Sequence, residues 1–293
     1  MTDSLLDESE TEHLKRWIGR SETTRDEIVA AQIAAMSATI DRDDPPPQPG
    51  DPVPPLWHWL FFMPRVRRSA LGRDGHPALG GFLPPVPLPR RMWAGGRLEW
   101  LTPLKVGGMA SRTSTVEDVQ VKHGKTGPLV FVTVLHEFHQ DGALCLREEH
   151  DIVYRGYSLP GAAPPQPQPA PAVPEFSRTV TPDPVLLFRY SALTFNGHRI
   201  HYDRRFCVEE EGYPGLIFHG PLTATLLVDL VRTEIPGAEL RSFGFRAVSP
   251  LFDTAPLTLH GCKTPQSADG AYTLWALNPE GALAMQAEAR IAV

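Results

Sequence analysis

Cysteine is scarce in this chain of 293 residues, and the three present, Cys145, Cys207 and Cys262, stand far apart with no C-x-x-C pair. That excludes a disulfide framework and a thiolate zinc site, and leaves three buried, reduced side chains as the expectation. Long apolar runs are missing as well. No stretch reaches the roughly 18 apolar residues of a membrane span, and the start, Met1 to Glu12, is acidic and polar where a signal peptide is basic and then apolar. These features predict a cytoplasmic protein with no membrane partner. Positive charge is not in excess: the formal charge is −6 and the basic clusters are short, such as Arg65-Val66-Arg67-Arg68 and Arg90-Arg91, so no nucleic-acid partner is expected. G-x-S-x-G, the P-loop and G-x-G-x-x-G are all absent, which removes support for serine hydrolase, NTPase and dinucleotide-dependent chemistry.

Proline, in contrast, is abundant and unevenly placed. Residues 158–176, SLPGAAPPQPQPAPAVPEF, favour an extended polyproline stretch over a packed core, and mark a linker between two domains. A second run, DPPPQPGDPVPP at 44–55, separates a helical N-terminal arm (1–43) from an N-terminal domain (56–157), with the C-terminal domain at 177–293. Within the arm, Glu10–Gly19 and Thr24–Ile40 carry helical spacing, the latter with Ile28, Ala31, Ala35 and Met36 on one side and Thr23 or Thr24 as its cap.

The two domains repeat a pattern. Gly96-Arg97-Leu98-Glu99-Trp100-Leu101-Thr102-Pro103-Leu104 aligns with Phe243-Gly244-Phe245-Arg246-Ala247-Val248-Ser249-Pro250-Leu251, and each copy leads into three β-patterned segments, near 109–122, 128–140 and 143–154, then 256–264, 271–278 and 283–292. Two α+β units with antiparallel sheets follow. Only the second has a strong central helix: Pro221 sits in its first turn, Leu222, Leu226, Leu227, Leu230 and Val231 make it apolar nearly all round, and Pro236-Gly237 ends it. A helix of that kind must be wrapped by a sheet, which describes a double hotdog fold. The first copy has only short apolar pieces such as Leu56–Met63 for this part, so its helix is expected to be degenerate.

The chemistry concentrates in Ser191-Ala192-Leu193-Thr194-Phe195-Asn196-Gly197-His198-Arg199-Ile200-His201-Tyr202-Asp203 and in His219-Gly220-Pro221 at the start of the apolar helix. The first segment gathers ionisable side chains in a turn; the second offers backbone N–H groups where the helix dipole favours negative charge. One piece moves a proton and the other holds an anion.

FRYSALTFNGHRIHYDRRF and EGYPGLIFHGPLTATLLVDLV resemble the MaoC-like (R)-specific hydratase/dehydratase family, whose motif runs D-x-N-P-x-H-x-D, and LPRRMWAGGRLEWLTPLKVG resembles the degenerate N-terminal hotdog of its double-hotdog members. The resemblance covers most of residues 60–293 and implies a hydro-lyase acting on an acyl thioester, with mesaconyl-C4-CoA and itaconyl-CoA hydratases and 3-hydroxyacyl-thioester dehydratases as the nearest types. It makes His201 the catalytic histidine, and it puts Asn196 in the place of the family's aspartate. An amide cannot accept a proton at neutral pH, so Asn196 is left to orient water or simply to make the Asn-Gly turn. Gly220 N–H is implied as the donor to the thioester oxygen, a contact of a kind worth about 2.7–4 kcal/mol. His198, Arg199, His219, Tyr190, Arg90 and Arg91 are the implied substrate-binding residues, the arginines for a substrate carboxylate or a coenzyme A phosphate. Asp203 is set either to fix the His201 ring or to pair with Arg204 or Arg205. The H-x-x-H of His198 and His201 lacks a helix to turn both rings one way, so no metal is expected. No cofactor is expected beyond the coenzyme A that the substrate carries. The partner is that acyl-CoA thioester, and a homodimer is open. A fatty-acid-type dehydratase and a non-catalytic acyl-CoA-binding module are the alternatives.

Overall fold

A computed structural model of the protein describes residues 6–78, 81–124, 127–156, 166–264 and 270–292. In chain order, α1 (Glu8–Lys15), β1 (Ser21–Glu27) and α2 (Ala30–Thr39) precede β2 (Arg90–Trp100), β3 (Met109–Gly124), β4 (Gly127–Gln140) and β5 (Ala143–Arg155). Then come β6 (Phe176–Val180), α3 (Pro184–Leu193), α4 (Gly220–Glu234), β7 (Leu240–Ala247), β8 (Leu257–Lys263), β9 (Ala271–Leu277) and β10 (Leu283–Ile291). The strands lie in one antiparallel sheet with the order β1-β3-β4-β5-β2-β7-β10-β9-β8-β6. Read from either end, it is the same five-strand half met twice, joined where β2 pairs β7.

That seam dictates its own residues. A side chain on Gly95 would strike the Phe245 carbonyl of β7, and one on Gly96 would come within 2.7 Å of the Glu149 carbonyl of β5, so β2 fits between its two neighbours only because both positions are glycine. Along β4 the inward positions Val130, Val132, Val134, His136, Phe138 and Gln140 are buried and their neighbours are not, the period-2 signature of a sheet with one covered face.

The second half wraps α4, in which every residue from Leu222 to Val231 is buried. Its apolar side chains each contribute about 1.5–3 kcal/mol by leaving water. Among the described residues the first half has no counterpart. In that place the apolar segment 56–63 forms only a short 3-10 turn, Trp57–Leu60, packed with Phe61, Phe62 and Phe138, while Leu14 of α1 joins Val116, Val130, Val132, Val134 and Tyr154. The degenerate first helix and the six hairpin strands therefore appear as the sequence pattern predicts.

The N-terminal arm does not. Residues 21–27 form a strand, not the start of a helix, because Ser21-Glu22-Thr23-Thr24 pairs with β3 (Thr23 and Thr113 hydroxyls 3.0 Å apart), and α2 begins only at Ala30, so neither Thr23 nor Thr24 caps it. The arm is built into both halves. Ile33 and Met36 enter the main core, and Arg42 donates to the buried Asp229 of α4 at 2.7 Å, beside Arg178 at 2.8 Å. Of the proline-rich linker, 158–165 lies outside the described residues; 166–175 carries neither helix nor strand, and Phe176 already opens β6. Cys145, Cys207 and Cys262 are buried and unpaired. Among the described residues no helix is long and apolar enough to cross a membrane.

Candidate active site

Two turns and a helix start bring the motif residues together. After α3 the chain turns through Phe195, held at φ +49°, and Asn196 accepts the His198 backbone N–H on its Oδ1 at 3.0 Å. A single 3-10 turn, Arg199–His201, then delivers His201, 8% exposed, against the segment entering α4. There His201 Nδ1–H donates to the Ile217 carbonyl at 2.8 Å, which fixes the ring and leaves Nε2 as its proton-accepting atom. Burial pushes the imidazole down to about 4, only partly opposed by the Ile217 bond, so the ring is neutral at pH 7.

His219 lies parallel to His201 with ring centroids 3.7 Å apart and is wholly buried. Its Nε2 meets the Ser191 hydroxyl at 2.8 Å, Tyr190 packs edge-on at 4.9 Å, and burial keeps it well below the ordinary histidine range. His219 and Tyr190, the latter 2% exposed, thus form a neutral wall behind His201. His219 also precedes the first residue of α4. Thr223 N–H returns to the His219 carbonyl and Pro221 has no N–H, so Gly220 N–H stands at the positive end of the helix, next to His201's stacking partner. A Cβ on Gly220 would meet nothing within 4 Å.

The arginines separate. Arg199 is occupied: its guanidinium binds Asp203 at 2.8 Å and the Arg73 carbonyl at 3.1 Å, and it covers the Phe206 ring at 4.1 Å. Asp203 accordingly neither fixes His201 nor pairs with Arg204 or Arg205; its other oxygen accepts Phe206 N–H at 3.0 Å, and Arg204 goes to Asp253. Arg90 binds Glu211 at 3.1 Å. Arg91 is the one of the three whose charge reaches the site, helping to hold His198 neutral.

Residues from the first half complete the picture, and the sequence motifs gave no signal for them. The loop through Gly72 to His76 lies on the motif turn: Arg199 N–H donates to the Asp74 carbonyl at 2.8 Å, and Gly75 sits at φ +88° so close to the Gly197 carbonyl that no side chain fits. The His76 ring is 3.9 Å from that of His198, which stands perpendicular to His201 at 5.5 Å. Asp74 takes the His76 Nδ1–H at 3.1 Å. Asp74, His76 and His198 offer ligand atoms within 4.8 Å of one another, the one such group among the described residues, but Asp74 and His76 already satisfy each other without an ion. A separate groove of about 610 Å³ crosses the β2–β7 seam on the face opposite Leu98, lined by Arg97, Phe131, Asp151 and Arg246; none of these histidines borders it.

A neutral buried imidazole with one free nitrogen beside a helix N-terminus is the equipment for moving a proton while an oxyanion forms. Residues 56–253 match the family of hydroxyacyl-thioester dehydratase type 2, and the chain belongs to that family. It is a hydro-lyase on a double hotdog fold. Over 274 residues, 92% of this chain and 95% of the relative, it is 47% identical to the mesaconyl-C(4)-CoA hydratase of Chloroflexus aurantiacus. It is 28% identical to the mitochondrial hydroxyacyl-thioester dehydratase type 2 of Schizosaccharomyces pombe, across 70% of this chain and 76% of that one. A Mycobacterium tuberculosis protein with a double hotdog fold superposes with a TM-score of 0.56 at 14% identity, covering 94% of this chain and 96% of the other, a likeness of fold alone.

Proposed function

We propose that the chain adds water across the double bond of a short dicarboxylic enoyl-CoA, mesaconyl-C4-CoA or itaconyl-CoA giving citramalyl-CoA being the leading example. The observation that carries this reading is the 47% identity to a mesaconyl-C(4)-CoA hydratase over nearly the whole of both chains. In the proposed mechanism, His201 Nε2 takes a proton from water as the oxygen bonds to the β-carbon, and the displaced π electrons become enolate charge on the thioester oxygen. Gly220 N–H holds that charge. His219 keeps the His201 ring in place, and Asn196 shapes the turn that presents it. The substrate's free carboxylate meets Arg91, since Arg90 and Arg199 are each bound to an acidic partner. Coenzyme A arrives with the substrate, and no resident cofactor or metal is required by these steps.

A cytoplasmic location belongs to the same proposal; the three unpaired, buried cysteines support it, since they fit a reducing compartment. Self-association as a dimer would use a surface other than the β2–β7 seam, which one chain already closes; sedimentation measures it. Loss of enoyl-thioester absorbance with mesaconyl-C4-CoA and with crotonyl-CoA tests the whole proposal. Hydration of the first in clear preference to the second supports it, and preference for plain enoyl chains moves the chain to the fatty-acid-type dehydratase, a reading favoured by its likeness to the Schizosaccharomyces pombe protein. No turnover of either would leave an acyl-CoA-binding module.

A further inference from the structure

Hydration of an enoyl thioester involves two proton events: one proton leaves water, and another reaches the α-carbon when the enolate collapses. His201 has one free nitrogen and serves the first. The second lacks a donor among the motif residues. Asn196 is an amide with its oxygen already given to His198 N–H, His219 is tied to Ser191, and Asp203 is tied to Arg199.

We propose that Asp74 and His76, carried in by the first half of the molecule, are the second proton-transfer unit of this site, His76 exchanging the proton and Asp74 positioning it. The inference rests on the hydration reading above. Asp74 grips His76 twice, taking its backbone N–H on Oδ1 and its Nδ1–H on Oδ2, both at 3.1 Å. That fixes the tautomer and aims the exchangeable lone pair to Nε2. The loop cannot drift from the motif, because Gly75 interlocks with Gly197, and the Arg73 and Asp74 carbonyls both accept from Arg199. The stack of His76 on His198, and of His198 edge-on to His201, makes a continuous line of imidazoles between the two proton sites. Asp74 is 41% exposed, so this end of the line meets solvent while His201 does not.

The protons balance. Water's O–H bond breaks, its proton goes to His201 Nε2, and hydroxyl bonds to the β-carbon. His76, protonated at the start, gives its proton to the α-carbon as the enolate electrons form the C–H bond. His201 then returns its extra proton along the line or to solvent, restoring the starting state. The groups facing His76 and His198 are Asp74 on the loop of His76, His201 on the motif turn and Arg91 on β2.

The test compares His76→Gln and Asp74→Asn with the wild-type protein, all checked for native circular dichroism, on whichever thioester the wild type hydrates. His76→Gln is expected to lower kcat by roughly 10²-fold or more with little change in KM. Asp74→Asn is expected to lower kcat less and to move one limb of the pH profile towards lower pH, with Asp74→Glu restoring part of both. A readout free of turnover is the His76 ring resonances by NMR, which should move when succinyl-CoA or butyryl-CoA is added. A His76→Gln variant that keeps more than about half of kcat with an unaltered pH profile overturns the proposal, as do His76 resonances that stay fixed on adding both thioesters. Activity on crotonyl-CoA alone would sink the dicarboxylic reading and still decide this one, since the variants are compared on that substrate. With no turnover at all, the resonances decide.

Discussion

The two halves of the sheet share strand order and pairing, yet they bury their histidines in different company. Around α4 the second half buries imidazoles without any carboxylate partner: His201 and His219 stack as neutral rings. The first half, with no central helix, buries a carboxylate among imidazoles and an indole. Glu148, 1% exposed, accepts from Trp59 Nε1 at 2.7 Å and meets His58 at 3.0 Å and His150 at 2.6 Å. Burial alone would push Glu148 up, but His150 and His58 hold it well below the usual carboxylate range. Both Glu148 oxygens are engaged by neighbours. In the second half the stacked pair keeps two nitrogens without a partner, His219 Nδ1 sealed in the core and His201 Nε2 on the motif side. The same scaffold thus makes a satisfied polar core on one side and a reactive group on the other, and the difference lies in whether the buried network closes on itself.

That contrast can be broken, and the largest effect belongs to His201. His201→Ala should lower hydration turnover by about 10²–10⁴-fold while the protein stays folded and binds coenzyme A, measured by steady-state kinetics and calorimetry. Retention of more than about a tenth of the activity would hand the base role elsewhere. The wild-type rate should also persist well below pH 6. The base form of a ring pushed down to about 4 is lost only as pH falls through that value. The same depressed value has an opposite consequence for stability. Below pH 6.5 the unfolded chain binds protons that the buried ring refuses, so the melting temperature should fall as pH drops from 6.5 towards 4, and less steeply in His201→Ala.

Next in size, Glu148→Ala should show the mirror image, destabilising by about 3–5 kcal/mol as buried imidazoles lose their partner. Chemical denaturation measures this loss, and turnover per folded molecule should be nearly unchanged. A large drop in turnover at full folding would join the first-half cluster to the chemistry.

A smaller effect is expected from Arg91→Met, which should raise KM for mesaconyl-C4-CoA by roughly 10–100-fold, the worth of a charged hydrogen bond, and KM for crotonyl-CoA far less. Arg90→Met and Arg199→Met should treat the two substrates alike. Equal losses from Arg91→Met would move it to coenzyme A phosphate binding or to structure. The smallest expected effect is none: EDTA should leave the rate unchanged and elemental analysis should find no stoichiometric zinc or iron. One tightly held equivalent, lost together with activity, would turn Asp74, His76 and His198 into ligands.

Much of this was legible in the sequence, and for local reasons. The β-patterned segments, the all-round apolar α4 and the helix-start glycine are written in period and in proline placement, so the double hotdog could be read directly, while the roles of His201 and Gly220 followed from the resemblance of their motifs to the MaoC-like family. The strand at Ser21–Glu27 was masked because its pattern continues that of the helix beyond it, and only pairing with β3 decides between them. Arg199 looked like a ligand for a substrate because nothing in the chain announces that Asp203, four residues on, claims it. The loop at Asp74–His76 was invisible for a different reason. It lies more than a hundred residues from the motif it touches, and two glycines that permit the contact, Gly75 and Gly197, carry no side chain to advertise it.

The β2–β7 seam has a consequence for how the chain is made. Some 140 residues separate the end of β2 from the start of β7, and at roughly 5–20 residues per second a ribosome needs on the order of ten seconds to supply them. Throughout that interval Gly95 to Glu99 present unpaired backbone donors and acceptors along an open edge. Two nascent chains on one message offer each other the same edge, and their mutual pairing competes with the return of each chain's own β7. The proline-rich segment between the halves lengthens the wait, so slow translation there should favour entangled dimers over monomers.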